Sequence, residues 1–252
     1  MTPEQLARVV WAAVVPGTPP PGDGLPRVVP AADGPGWRSP AALRVARGLA
    51  RPPSEVAREA AARLRGHPDV GAARALGDGT LDIVLTPAAA GTVVSRVLSG
   101  EGEDWTAPSR FATPALPRPG WRRRDDPVFA LVWAHARART VVTLAAAQGM
   151  EPGPVADLLA DPAEGALLTA LAAFPDDVSR AAPSGDTTSL LRRLAVLAGR
   201  THDWLDRESV IPRRVDDRVT ATHQARLALA SATAAVLALG LDLLGLPRPV
   251  PV

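Results

Sequence analysis

The stretch Asp125–Met150, DDPVFALVWAHARARTVVTLAAAQGM, decides how this chain is read. Two acids and a proline open it, and the run that follows has no glycine or proline before Gly149. Acid followed by proline is a helix-start signal, because the acid can cap free backbone N–H groups and proline needs none. One helix is therefore expected over residues 126–148. Phe129 and Trp133 stand four apart and so share a helical face. His135, Arg137 and Arg139 come directly after them. An aromatic face can stack an unpaired base, and arginine can contact phosphate. The same aromatic spacing also occurs in ordinary core packing, so both readings of Phe129 and Trp133 stay open at this point.

Working outward, everything after Asp125 reads as helix. The apolar periods predict helices at 126–148, 162–173, 186–209 and 215–245, joined by short connections, which is the pattern of a helical bundle. On the other side, residues 99–124 carry no period and hold GEGEDWTAPSRFATPALPRPGWRRR, a proline- and glycine-rich linker pattern. Before it, Thr2-Pro3 caps a helix that a proline-rich loop from Pro16 breaks, with a short strand expected at 27–29. Helices are expected after Ser39-Pro40, over the RPPSEVAREAAARLRG segment, and from Thr86-Pro87 to Leu98. VGAARAL and TLDIVL flank GDG, a hairpin signal. The expected organisation is an α+β domain with a small antiparallel sheet over 1–98, a linker over 99–124, and an all-α bundle over 125–252.

All basic residues are arginine; lysine, tyrosine and cysteine are absent. Few groups are left to titrate above neutrality, so the sequence pI of about 10.6 overstates the charge, which is only +2. Composition alone thus gives weak support for nucleic acid. Absent cysteine excludes disulfides and cysteine-ligated metal within these residues. The four histidines are dispersed, and we expect neither metal nor cofactor. The N-terminus lacks a signal-peptide layout, and the apolar run Leu227–Leu241 is shorter than the ~20 residues that cross a bilayer. A soluble, cytoplasmic chain is expected, without a membrane partner.

The segments LARPPSEVAREAAARL and VGAARALGDGTLDIVLTPAAAGTVVSRVL resemble the N-terminal additional domain of arginyl-tRNA synthetases. DPVFALVWAHARA, DPAEGALLTALAAFPDDV and ARLALASATAAVLALGLDLLGL resemble the DALR anticodon-binding domain of the same family. The AHAR helix and the RLAL…GLDLLG terminus carry the most specific part of the likeness. In the family a large catalytic domain separates these modules; here residues 99–124 stand in its place. No HxGH-type signature occurs, and without lysine no KMSK-type loop can form.

The resemblance implies a tRNA-holding role. It puts Phe129 and Trp133 where the family tends to carry tyrosines near the anticodon, with Val132 in place of a glutamine. Arg139 is the phosphate candidate of this helix. Arg137 is expected to pair with an acid of the bundle, and His135 to hydrogen-bond between helices. Trp121 with Arg122, Arg123 and Arg124 forms a basic-aromatic stretch suited to RNA. GDGTLDIVL occupies the place of the family's D-loop-holding segment, but Thr80 and Asp82 depart from its pattern; Trp37 and Arg38 are the candidates to compensate. Arg226 reads as framework. The implied function is a non-catalytic tRNA-binding protein, with tRNA for arginine as the family's ligand. The alternative is an interaction module that docks on a true synthetase or another tRNA-using enzyme.

Overall fold

The computed structural model describes residues 1–20, 24–32, 34–100, 111, 126–212 and 218–249. The chain divides into two compact units, Met1–Ala90 and Gly91–Val252.

The first unit opens with α1 (Pro3–Val14). Its N-terminus is a reciprocal capping box. Thr2 Oγ1 accepts from Gln5 N at 3.1 Å, while Thr2 N donates to Gln5 Oε1 at 2.8 Å. Leu6, Val10 and Val14 form its buried stripe. Two short strands, β1 (Val29–Pro30) and β2 (Trp37–Ser39), precede α2 (Ala41–Ala46) and α3 (Pro53–Leu64). The hairpin of β3 (Val70–Ala75) and β4 (Leu81–Leu85) completes the sheet, and α4 (Pro87–Leu98) follows. All three strand pairs are antiparallel, in the order β1-β2-β4-β3.

Chemistry explains the hairpin turn. Asp78 Oδ1 accepts from Thr80 N at 2.8 Å. Gly79 has φ +86°, and a Cβ there would fall 2.6 Å from the Cβ of Pro53. The position thus needs glycine for both conformation and space. The unit division falls inside α4, between Ala90 and Gly91. β2 lies where the sequence pattern predicts only loop and a helix start. Three residues are too few to show alternation, and β2 exists because it pairs with β4.

The second unit holds the long helices α5 (Pro127–Ala147), α6 (Pro162–Ala181), α7 (Thr187–Arg207) and α8 (Ala221–Leu243). Each has a side-chain N-cap. Asp126 accepts from Phe129 N at 2.8 Å, Asp161 from Ala163 N at 2.7 Å, Asp186 from Ser189 N at 3.0 Å, and Thr220 from His223 N at 3.3 Å. Helix α6 runs past the expected end at 173, through Pro175. Phe174 and Val178 are buried beyond that point, so tertiary packing carries the helix across its proline. Helix α8 starts at Ala221 rather than 215; residues 213–217 are outside the described set.

Helices α7 and α8 both pack on α5, and α6 packs on α7. The α7–α8 approach is close: a Cβ on Gly240 would fall 2.5 Å from Leu194 Cδ2. Helices α5 and α8 are long and apolar enough to cross a membrane by length and composition. Their buried residues, Leu131, Ala134 and Ala138 on α5 and Leu229, Ala232 and Leu237 on α8, instead form the core of the bundle.

Candidate RNA-binding site

Helical spacing divides the polar and aromatic residues of α5 between two faces. Phe129, Trp133 and Arg137 follow one another at intervals of four, as do His135 and Arg139. Arg139, six residues after Trp133, lies roughly 120° round the helix from it at 3.6 residues per turn.

On the first face the rings of Phe129 and Trp133 stack with centroids 5.8 Å apart and planes at 25°. The Trp133 ring also meets the imidazole of His202, on α7, at 4.6 Å. The guanidinium of Arg137 lies 5.6 Å from the Trp133 centroid, within cation–π range. Arg137 is fixed there by two further contacts. Its Nη2 donates to Asp206 Oδ1 at 2.6 Å, and its Nη1 is 3.1 Å from His202 Nδ1. His202 Nε2 in turn is 3.2 Å from the carbonyl oxygen of Ala130. A guanidinium can only donate and a carbonyl can only accept. The geometry therefore assigns the neutral Nε2–H tautomer, with Nδ1 accepting from Arg137. Asp206 is the acid that Arg137 pairs with, and His202 is the interhelical hydrogen-bonded histidine.

Phe129 and Trp133 are both half-buried. Trp133 and Arg137 line a groove of about 430 Å³ that Leu205, Glu208, Val210 and Ile211 complete. The groove wall is braced from behind by Arg226, at the head of α8. Its Nε donates to Glu164 Oε1 at 2.7 Å, its Nη1 to the Ser209 carbonyl at 3.2 Å, and its Nη2 to Glu208. Glu164 is 1% exposed, and its other oxygen accepts from Asp161 N at 2.9 Å as part of the α6 capping box. One carboxylate thus caps α6 and holds the arginine that fixes the end of α7.

The second face of α5 differs. His135 is 4% exposed, and its Nδ1 has no hydrogen-bond partner among the described residues. The expected interhelical hydrogen bond of His135 is thus not made through that atom. Burial holds its pKa below the ordinary histidine value, and the charges of Arg139 and Arg248 push the same way while Asp242 opposes them. Arg139 is exposed.

In the first unit, Trp37 is 2% exposed and belongs to the core. Its ring is closed to a base, so the expectation of RNA contact at Trp37 is corrected to packing. Arg38 sits across from Asp82 in the β2–β4 register, and Arg74 sits across from it in β3–β4. Arg74 Nε donates to Asp82 Oδ2 at 2.7 Å, and Arg38 Nε lies 4.0 Å from Oδ1. Asp82, one of the departures from the family's pattern, is therefore offset by Arg74, and the charge of Arg38 faces it. Arg122, Arg123 and Arg124 lie outside the described residues. Among the described residues, no three His, Asp or Glu side chains gather as a metal-ligand set.

Residues 131–250 match the DALR anticodon binding domain. The C-terminal region of this chain therefore carries that domain, and α5 from Leu131 onward, α6, α7 and α8 are its helices. Over about half its length the chain is similar to arginine–tRNA ligases. It is 43% identical over 130 residues to the arginine–tRNA ligase of Kineococcus radiotolerans, which is 51% of this chain and 23% of that protein. The enzyme of Clavibacter sepedonicus matches at 41% over 131 residues, 52% of this chain and 24% of that protein. That of Renibacterium salmoninarum matches at 41% over 126 residues, 50% and 23% respectively. The matches span about a quarter of the length of these relatives.

Proposed function

We propose that this chain is a non-catalytic tRNA-binding protein that uses the Phe129–Trp133 face of its DALR domain to contact an anticodon loop, with tRNA for arginine as the first ligand to test. The observation that carries this reading is a half-buried aromatic pair on α5, the helix that from Leu131 onward belongs to an anticodon-binding domain. Each residue is partly sheltered and partly accessible, and Trp133 also lines the groove, as a stacking platform requires. The non-catalytic part is supported by sequence chemistry. Activating an amino acid needs charge stabilisation at the ATP α-phosphate, and this chain has neither an HxGH-type signature nor any lysine. The arginines 122–124 remain phosphate candidates in this proposal, and we place the chain in the cytoplasm with tRNA.

A second reading has its own observation. The groove beside Trp133 is mixed rather than basic: Arg137 is paired with Asp206, Glu208 with Arg226, and Leu205, Val210 and Ile211 are apolar. Such a lining suits an apolar segment of a partner protein, such as a synthetase or another tRNA-using enzyme. One experiment separates the two. Tagged protein is recovered from cells, the bound RNA is sequenced and the bound proteins are identified. Enrichment of tRNA that survives nuclease-free washing at low salt supports the RNA reading. A protein partner retained after RNase, with no tRNA enrichment, replaces it with the second. Purified protein given arginine, ATP and tRNA should form no arginyl-tRNA; turnover that follows the protein through purification contradicts the non-catalytic claim.

A further inference from the structure

The second face of α5 plays no part in the aromatic site, yet it opens on a groove of its own. Its volume is about 480 Å³. His135 and Arg139 line it from α5, Ala234 and Ala238 from α8, and Arg248 from the segment after α8. The alanines offer no side-chain hydrogen bond, and Ser231, which also lines the groove, spends its hydroxyl hydrogen on the Leu227 carbonyl at 2.9 Å, so the side-chain donors left to the groove belong to three groups. Two are guanidinium ions. Asp242 engages Nε and Nη2 of Arg248, leaving its Nη1 donors without a partner among the described residues. With Asp242 counted against Arg139 and Arg248, the described residues leave the groove an excess of positive charge.

The third group is His135. Its Nδ1 is sealed from solvent without a partner among the described residues. A sealed N–H with no acceptor is costlier than a lone pair with no donor, because a carbonyl or ring acceptor is more easily left under-satisfied than a donor. The neutral ring therefore carries its proton on Nε2 and leaves Nδ1 as the silent atom. The imidazole then contributes one N–H donor to the groove that it lines.

We propose that this groove binds a phosphate group, with Arg139 and Arg248 as forked donors and His135 Nε2–H as the third. Arginine's planar fork matches phosphate oxygens. Donors from three separate side chains suit a tetrahedral anion better than a planar carboxylate, which offers only two oxygens in one plane. The phosphate can come from an RNA backbone, in which case the inference rests on the tRNA reading, or from a small phosphorylated molecule, in which case it stands apart from it.

The test uses inorganic phosphate as the probe and the full chain. The imidazole NMR signals of the four histidines are followed during a titration at constant ionic strength, with chloride as the balancing anion. The His135 signal is identified by its loss in His135→Gln. It should shift saturably, and the apparent affinity should fall by roughly tenfold or more in Arg139→Gln and in Arg248→Gln, the worth of a hydrogen bond to a charged group. Both arginines are exposed, and unchanged melting verifies that each variant is folded. Because burial and the two arginines depress the His135 pKa, with Asp242 opposing, a bound dianion should raise its titration midpoint, and chloride should not. A shift that never saturates, or saturation unchanged in both arginine variants, overturns the site. In a final arm tRNA is added to the phosphate complex. Displacement assigns the site to RNA; tRNA that binds without displacing phosphate assigns it to a small phosphorylated ligand. If no tRNA binds at all, saturable phosphate binding still upholds the site and only the tRNA reading falls.

Discussion

The two faces of α5 are built in opposite ways. Toward α7, the polar side chains find partners: Arg137 meets Asp206, His202 and Trp133, and His202 reaches the Ala130 carbonyl. Toward α8, a buried histidine keeps an orphan nitrogen and an exposed arginine stands over an alanine-lined groove. Closed networks stabilise, whereas donors facing a cavity, such as the guanidinium groups of Arg139 and Arg248, mark places where an anionic ligand could complete the bonding. The difference teaches that basic residues adjacent in sequence on one helix need not serve one site.

The sharpest way to break this contrast is at the brace behind the first face. Arg226→Ala leaves Glu164 buried without its partner charge and should cost about 3–5 kcal/mol, read from urea unfolding. A loss near zero would mean that the network does not hold the groove wall. Trp133→Ala comes next. Trp204, fully buried, should cost ~3–5 kcal/mol as a core tryptophan. Half-buried Trp133 should cost about 2 kcal/mol, for its partial burial and aromatic contacts. If the two losses are equal, Trp133 is core and has no spare face for a base.

Arg137→Ala should cost about 1 kcal/mol, since its partner Asp206 is nearly half exposed and the pair is screened. The next effect is confined to acid. The folded pKa of His135 is depressed, so the unfolded chain binds the proton more tightly. This group therefore costs nothing above the unfolded histidine pKa of about 6.5, lowers stability as pH falls below it, and levels off once the folded pKa is passed. The stability difference between wild type and His135→Gln should change with pH only in that window, and stay constant on either side of it. The smallest effect belongs to Arg139→Gln. It should leave stability within about 0.5 kcal/mol, as an exposed substitution does, while reducing the log–log salt slope of any RNA binding by up to ~0.9.

Much of the fold was legible because its signals are local. Asp-Pro starts at 126–127 and 161–162, the Thr2 capping box and the Asp78-Gly79 turn act within a few residues, and each element stands where they point. β2 and the end of α6 were not legible. β2 needs β4 beside it, and α6 passes Pro175 only because Phe174 and Val178 have a core to enter. For the site, spacing alone grouped Phe129 with Trp133. The same arithmetic separates Arg139 from them, although an aromatic-basic run invites grouping all three. His202, which lies 65 residues after Arg137, had no signal at all, since its role exists only across the α5–α7 interface. Trp37 failed as an RNA candidate for the same reason: whether a tryptophan beside an arginine faces solvent or core depends on the sheet register.

The central claim is that the Trp133 face still receives an unpaired base. The most direct measurement is tRNA affinity against salt concentration for wild type and for Trp133→Ala and Trp133→Phe, with melting curves of each. The account predicts salt-dependent binding by wild type and a loss of about 1–3 kcal/mol in Trp133→Ala, the worth of one base stack, with most of it restored by phenylalanine and all three proteins folded. Wild-type protein that binds no tRNA at low ionic strength, or equal affinity in all three folded proteins, would contradict it.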